Sequence, residues 1–194
     1  MRKLENKVSI ITGAGSGMGK AIALLFAAEG SKVVATDINQ QRLETLKSEI
    51  TENDGEVSIL LANVAKEEDV ENMIKFATET YGTLDILVNN AGIMDNFSPV
   101  GEVDNNTWEK VMKVNLEGPF KAMRSAINVF LPKSSGVIVN IASLGGINGA
   151  RAGAAYTTSK HALIGLTKNT GYMYSKSGIR CNFKININTS SLLS

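Results

Sequence analysis

Residues 8–30, V8-S-I-I-T-G-A-G-S-G-M-G-K-A-I-A-L-L-F-A-A-E-G30, decide the architecture of this chain. A short apolar run, VSII, leads into a loop with glycine at 13, 15, 17 and 19, and the next segment repeats its apolar residues at helical period. Strand, glycine loop and helix in that order aim backbone N–H groups and a helix N-terminus at one point, where a pyrophosphate is well placed. The Gly-x-Gly-x-x-Gly spacing is not met, because Met18 stands at the third glycine position. The loop carries Gly13, Gly17 and Gly19 instead, spaced Gly-x-x-x-Gly-x-Gly, and with Ser16 and Met18 these form the candidate phosphate cradle. The alternative, a tight turn with no ligand, is disfavoured by the strand and helix that flank it.

The same alternation continues along the chain. Short β-branched runs at 8–11, 32–36, 57–62, 86–88 and 137–141 are separated by helical patterns near 17–29, 40–53, 67–81, 104–130 and 155–176. Runs such as VVAT and VIVN are nearly continuous in apolar residues, as expected of strands with helices on both faces. Right-handed crossovers then give an α/β fold, a doubly wound parallel sheet of about six strands. Pro119 falls inside a helical pattern and predicts a kink. No linker or solenoid repeat interrupts the chain, so 1–194 reads as a single dinucleotide-binding domain.

Composition narrows the classes of function. Twenty Lys and Arg stand against 19 Asp and Glu, net +1, with no basic stripe, so no nucleic-acid partner is expected. A lone cysteine, Cys181, and the absence of an apolar leader or spanning run point to a cytoplasmic protein with no membrane association. No metal site is expected.

The second strand ends in Asp37, twenty residues after Gly17. A carboxylate there can accept from both ribose hydroxyls of an adenosine and repels a 2′-phosphate, which favours NAD over NADP. Neither Ser16 nor Ile38 offers a positive charge to a phosphate. Asp37 as a turn or capping residue remains the alternative. Further on, Tyr-x-x-x-Lys occurs twice, as Tyr156/Lys160 and Tyr172/Lys176. An ammonium four residues from a phenol favours the phenolate and makes a proton donor and acceptor. On one helix, sixteen positions separate the two tyrosines by about 160°, so only one of them can face a cofactor.

With TGAGSGMG (12–19), Asp37, N89-N90-A91-G92, Asn115, Ser143 and Y156-T-T-S-K160 taken in order, the sequence resembles the short-chain dehydrogenase/reductase family, which has the Rossmann fold, over about residues 6–182. The resemblance selects Tyr156, because Ser143 precedes it by thirteen residues and Tyr172 has no such partner. It implies an NAD(H)-dependent oxidoreductase interconverting a secondary alcohol and a ketone, with Tyr156 as general acid–base. Lys160 would hold the nicotinamide ribose and Ser143 would polarise the reacting oxygen. Asn115 would hold Lys160 through a water. Asn90, Ala91 and Gly92 would pass close to the cofactor with their backbone. For Ser143 a strand-terminal cap, and for Asn115 a plain helix polar contact, are the bland alternatives. Asn63 and Val64 fall at the adenine, where relatives usually carry aspartate at the first position; the Asn63 amide oxygen can still accept. His161, about 100° round the helix from Lys160, is expected to serve packing or solvent. Two rival readings are a catalytically impaired NAD-binding module and a reductase of 3-oxoacyl groups on a carrier protein.

The resemblance further implies a homo-oligomer formed through the helices near 104–130 and 155–176. Residues 183–194 diverge from the family pattern, and its last edge strand and substrate lid are not recognisable there, so low turnover, loss of a second oligomer axis and an exposed strand near 179–187 are expected. Residues 179–188 alternate apolar and polar, which reads as a strand with one wet face. Asp95, Asn96 and Phe97, with Leu144 to Ala150, are expected to form one substrate wall.

Overall fold

A computed structural model describes residues 2–185. Its strands are β1 (Val8–Thr12), β2 (Lys32–Asp37), β3 (Val57–Leu61), β4 (Ile86–Asn89), β5 (Gly136–Ile141) and β6 (Ile179–Lys184). All pair in parallel, in the order β3-β2-β1-β4-β5-β6, so the chain winds outward from β1 to one edge, returns, and winds outward through β4 to the other. The reversal lies between β1 and β4, and in such sheets ligands bind beyond the carboxyl ends of the strands at that point.

The helices are α1 (Gly17–Ala28), α2 (Gln40–Thr51), α3 (Glu67–Tyr81), α4 (Asn105–Met112), α5 (Gly118–Phe130) and α6 (Ala154–Met173). Successive strand residues feed two separate cores. Val8 and Ile10 of β1 pack with Met73 of α3 and Phe130 of α5, whereas Ile11 packs with Ala23 of α1 and Leu43 of α2. Apolar side chains therefore stabilise both faces, which is why VSII does not alternate. In β6 the buried Ile179 and Cys181 join the first core, while Arg180, Asn182 and Lys184 are exposed. The alternation in β6 thus records one covered and one wet face. Residues 186–188 of the expected strand lie outside the described residues.

The pattern near 104–130 is not one helix. Between α4 and α5 the backbone widens into a π-helical turn, Lys113–Glu117, closed by the Gly118 N–H on the Lys113 carbonyl. Pro119 sits in the first turn of α5. Having no N–H, it removes the donor that would otherwise return to the turn containing Asn115, so the expected kink takes the form of a π turn.

A buried polar ladder fixes α6 to the sheet. Asn89 of β4 and Asn140 of β5 are in register. Asn89 Nδ2 donates to Asn140 Oδ1 at 2.8 Å, and Asn140 Nδ2 donates to Thr167 Oγ1 of α6 at 2.8 Å. Among the described residues no buried side-chain polar atom lacks a partner, so these groups carry little uncompensated desolvation cost.

Candidate active site

The glycine loop is built by close approach. Gly13 has φ +66°, and a Cβ on Gly19 would stand 2.1 Å from the Gly13 carbonyl oxygen and 2.5 Å from Asn90 Nδ2. Only hydrogen fits there. Asn90 holds the loop from the other side, donating through Nδ2 to the carbonyls of Thr12 at 2.9 Å and Gly13 at 3.2 Å. The backbone N–H groups of Asn90 and Ala91 both donate to Thr12 Oγ1 at 3.0 Å. Gly17, at φ +53°, has nothing within 4 Å of its Cβ position, and Ser16 occupies the N-cap of α1 without a side-chain capping bond. Open space in front of a helix start that no side chain caps fits a pyrophosphate.

Asp37 closes the loop's flank. Its Oδ2 accepts from Gly15 N at 2.9 Å and its Oδ1 from Asn39 N at 3.0 Å. The fold also brings the Arg42 stem within 2.9 Å of where a Gly15 Cβ would stand, beside the Asp37 carboxylate. Ile38 is exposed. Asn63 Oδ1 accepts from Ala65 N at 3.0 Å, so one lone pair of the candidate adenine acceptor is already engaged. Val64 is buried, and its carbonyl lies 2.7 Å from the Cβ position of Gly118.

Tyr156 and Lys160 lie one turn apart in α6. Lys160 is 3% exposed; its Nζ donates to the Ile141 carbonyl at 2.8 Å and lies 5.7 Å from the centre of the Tyr156 ring. Burial lowers the Lys160 pKa to about 8, since desolvation penalises the charged form. Two residues beyond Ile141, Ser143 begins a short 3-10 turn and its Oγ accepts from Gly145 N at 3.1 Å. A Cβ on Gly145 would be 3.5 Å from the Tyr156 ring, so the serine's turn packs against the phenol. Gly92 lies between Lys160 and Asn115, its Cβ position 3.6 Å from Lys160 Nζ and 3.4 Å from Asn115 Oδ1.

The fully buried Asn115 spends its side chain on structure. Oδ1 accepts from Ile93 N at 2.8 Å, while Nδ2 donates to the Ile93 carbonyl at 2.9 Å and to Ser159 Oγ at 3.2 Å. Tyr172, by contrast, is 81% exposed, and α6 ends at Met173, before Lys176. The second Tyr-x-x-x-Lys pair therefore does not share a helix face. His161 is exposed, with Nδ1 against the Thr157 carbonyl.

One contact was not legible in the sequence. Asp95, fully buried in the loop after β4, places its carboxylate on the N-terminal turn of α6, accepting from Gly153 N at 3.1 Å and Tyr156 N at 2.8 Å. A cleft of about 220 Å³ between this loop and α4, lined by Ile93, Met94, Asn96 and Lys110 among others, includes none of the candidate catalytic residues.

A family model described as short chain dehydrogenase matches residues 7–188. The chain belongs to the short-chain dehydrogenase family. It is 44% identical over 180 residues to 3beta-hydroxysteroid dehydrogenase 2 of Eggerthella lenta, covering 92% of this chain and 69% of that protein. Cyclohexanol dehydrogenase of an Acinetobacter species is 39% identical over 180 residues, covering 93% of this chain and 72% of the relative. The crystal structure of NAD+-bound xylitol dehydrogenase superposes with a TM-score of 0.89 at 32% identity, covering 93% of this chain and 70% of that one. Membership makes this short-chain dehydrogenase an oxidoreductase with a Rossmann-type fold. None of its described helices is long and apolar enough to cross a membrane.

Proposed function

We propose that the chain is an NAD(H)-dependent oxidoreductase that interconverts a secondary alcohol and a ketone, with Tyr156 as general acid–base. One observation carries this reading: the Tyr156 ring lies against the Ser143 turn while Lys160, one helical turn on, is buried beside Gly92. Bound NAD(H) would supply or accept the hydride. Tyr156 would give its hydroxyl proton to the carbonyl oxygen in reduction and take it back in oxidation. Ser143 Oγ already accepts from Gly145 N. A hydroxyl has one proton to donate, so the remaining O–H of Ser143 is available to the reacting oxygen. The capping role and the polarising role are thus compatible.

Lys160 spends one N–H on Ile141, leaving two donors for the nicotinamide ribose and a water. In its protonated form it favours the phenolate of Tyr156. Because the Asn115 side chain is committed to Ile93 and Ser159, a water relay to Lys160 would rest on the Asn115 backbone carbonyl, in the π turn that Pro119 opens.

Asp37 supports NAD, and the NAD+-bound xylitol dehydrogenase neighbour agrees with it. Cyclohexanol and a 3β-hydroxysteroid, in the names of two relatives, are secondary ring alcohols. Met94, Phe97 and Ile147 give the two loops that touch Tyr156 exposed apolar side chains, suited to such a skeleton. We therefore favour an alicyclic substrate. A panel of cyclic and linear ketones with NADH, followed by nicotinamide absorbance, should give turnover that favours the rings. Turnover with none of them, despite NADH binding, would instead support the impaired-module reading.

A further inference from the structure

We propose that Asp95 is a positioning residue for Tyr156: a buried carboxylate that caps the catalytic helix from a loop 58 residues away in sequence. The inference rests on the role of Tyr156 proposed above. The N-cap of α6 is Gly153, which has no side chain with which to cap, and no side-chain capping bond forms within the helix. Its first N–H groups are satisfied from outside. Asp95 Oδ1 accepts from Gly153 N at 3.1 Å and from Phe97 N at 3.2 Å, and Oδ2 accepts from Tyr156 N at 2.8 Å. The Ser98 carbonyl takes Ala154 N at 2.9 Å. Among the described residues no lysine or arginine forms an ion pair with Asp95. Its charge is therefore held by three N–H groups and the positive end of α6, a combination that suits an anion.

The approach is close enough to require glycine. A Cβ on Gly153 would stand 2.5 Å from Asp95 Oδ2 and 2.6 Å from the backbone N and O of Ser98. The loop reaches this position by passing two consecutive non-glycine residues, Asn96 and Phe97, through the left-handed region at φ 55° and 60°, a conformation maintained only where the surroundings enforce it. The same loop is tied at Asn90 to the glycine loop and at Ile93 to Asn115. Asp95 adds the third tie, from this loop to the residue whose hydroxyl would move the proton. A displacement of about an ångström at that hydroxyl is enough to slow transfer severely.

The test pairs amide hydrogen exchange with kinetics on Asp95→Asn and Gly153→Ala. Asp95→Asn keeps the shape and loses an acceptor; Gly153→Ala keeps the carboxylate and crowds it. In both variants the amides of 153–156 should exchange at least about tenfold faster while β4 and β5 keep their protection. The kcat for ketone reduction should fall roughly tenfold or more, with NADH affinity and ketone KM within about twofold of wild type. The double variant should lose less than the sum of the two, since both act on one contact. Unchanged exchange at 153–156 would overturn the proposal. So would faster exchange with unchanged kcat, or loss of protection across the whole sheet in both variants, which would make Asp95 a general fold residue. If wild type reduces no ketone, the functional reading fails instead, and the exchange experiment alone decides whether Asp95 holds Tyr156.

Discussion

Lys160 Nζ donates to the carbonyl of Ile141 at 2.8 Å, so the ammonium of α6 is fixed to the strand end that leads to Ser143. No carboxylate pairs with it among the described ion pairs, and burial lowers its pKa to about 8. The folded chain therefore binds this proton less tightly than the unfolded chain. Between about 8 and the ordinary lysine value the unfolded state holds more protons, so this group's contribution to stability rises with pH across that window. Below it, holding the charged form costs on the order of 3 kcal/mol. Lys160→Met should be more stable than wild type at neutral pH, with the gap closing as pH rises from 8 to 10. Denaturant midpoints across that range measure it, and a gap that does not vary with pH would contradict the assignment.

Asp37 should govern cofactor choice, because its carboxylate flanks the glycine loop. Asp37→Ser removes the charge that repels a 2′-phosphate. Preference should move toward NADP(H), and Ile38→Arg, at an exposed position, should move it further. Fluorescence titration with both reduced cofactors gives the ratio; wild type binding NADPH as tightly as NADH would refute the role of Asp37.

Gly19→Ala and Gly17→Ala should separate packing from contact with the cofactor. The Gly19 Cβ would meet the Gly13 carbonyl at 2.1 Å, an overpacking that should cost about 1–3 kcal/mol of stability and weaken NADH binding. At Gly17, with φ +53° and open space beyond, the strain is about 1–2 kcal/mol. A clear loss of NADH affinity there would report a ligand in that space; an unchanged affinity would mean that the pyrophosphate lies elsewhere.

The Cys181 thiol is pushed up to about 12 by burial, beside Asn140 and Met123. It should resist a disulfide reagent in the folded protein and react fully in denaturant. Rapid labelling under native conditions would show that β6 opens.

Much of this was legible in the sequence, for identifiable reasons. The strand–glycine–helix stretch 8–30 states its own geometry, because only one local structure accommodates continuous apolar residues, a glycine loop and a 3.6-residue period in that order. The separation of Tyr172 from Tyr156 followed from helix geometry alone. The π turn did not, because Pro119 announces a disruption but not how the backbone absorbs it. In the sequence Asp95 reads only as substrate wall: its contact with Tyr156 depends on where a loop after β4 falls against a helix whose N-cap, Gly153, lies 58 residues later, and no local period encodes that. The approach of the Arg42 stem to Gly15 is not encoded locally for the same reason, since α2 brings it there only through packing. The Ser143 cap and the Asn115 contacts were foreseen as alternatives, and both occur in the structure.

The role proposed for Tyr156 is to move the proton in a hydride transfer to a ketone. Its most direct test is deuterium transfer from nicotinamide-deuterated NADH to cyclohexanone, read by mass spectrometry in wild type, Tyr156→Phe and Tyr172→Phe, with NADH affinity measured alongside. Wild type and Tyr172→Phe should label the carbonyl carbon at equal rates, and Tyr156→Phe should lose at least about a hundredfold while binding NADH as before. Equal transfer by wild type and Tyr156→Phe, or an equal loss in both tyrosine variants, would contradict it.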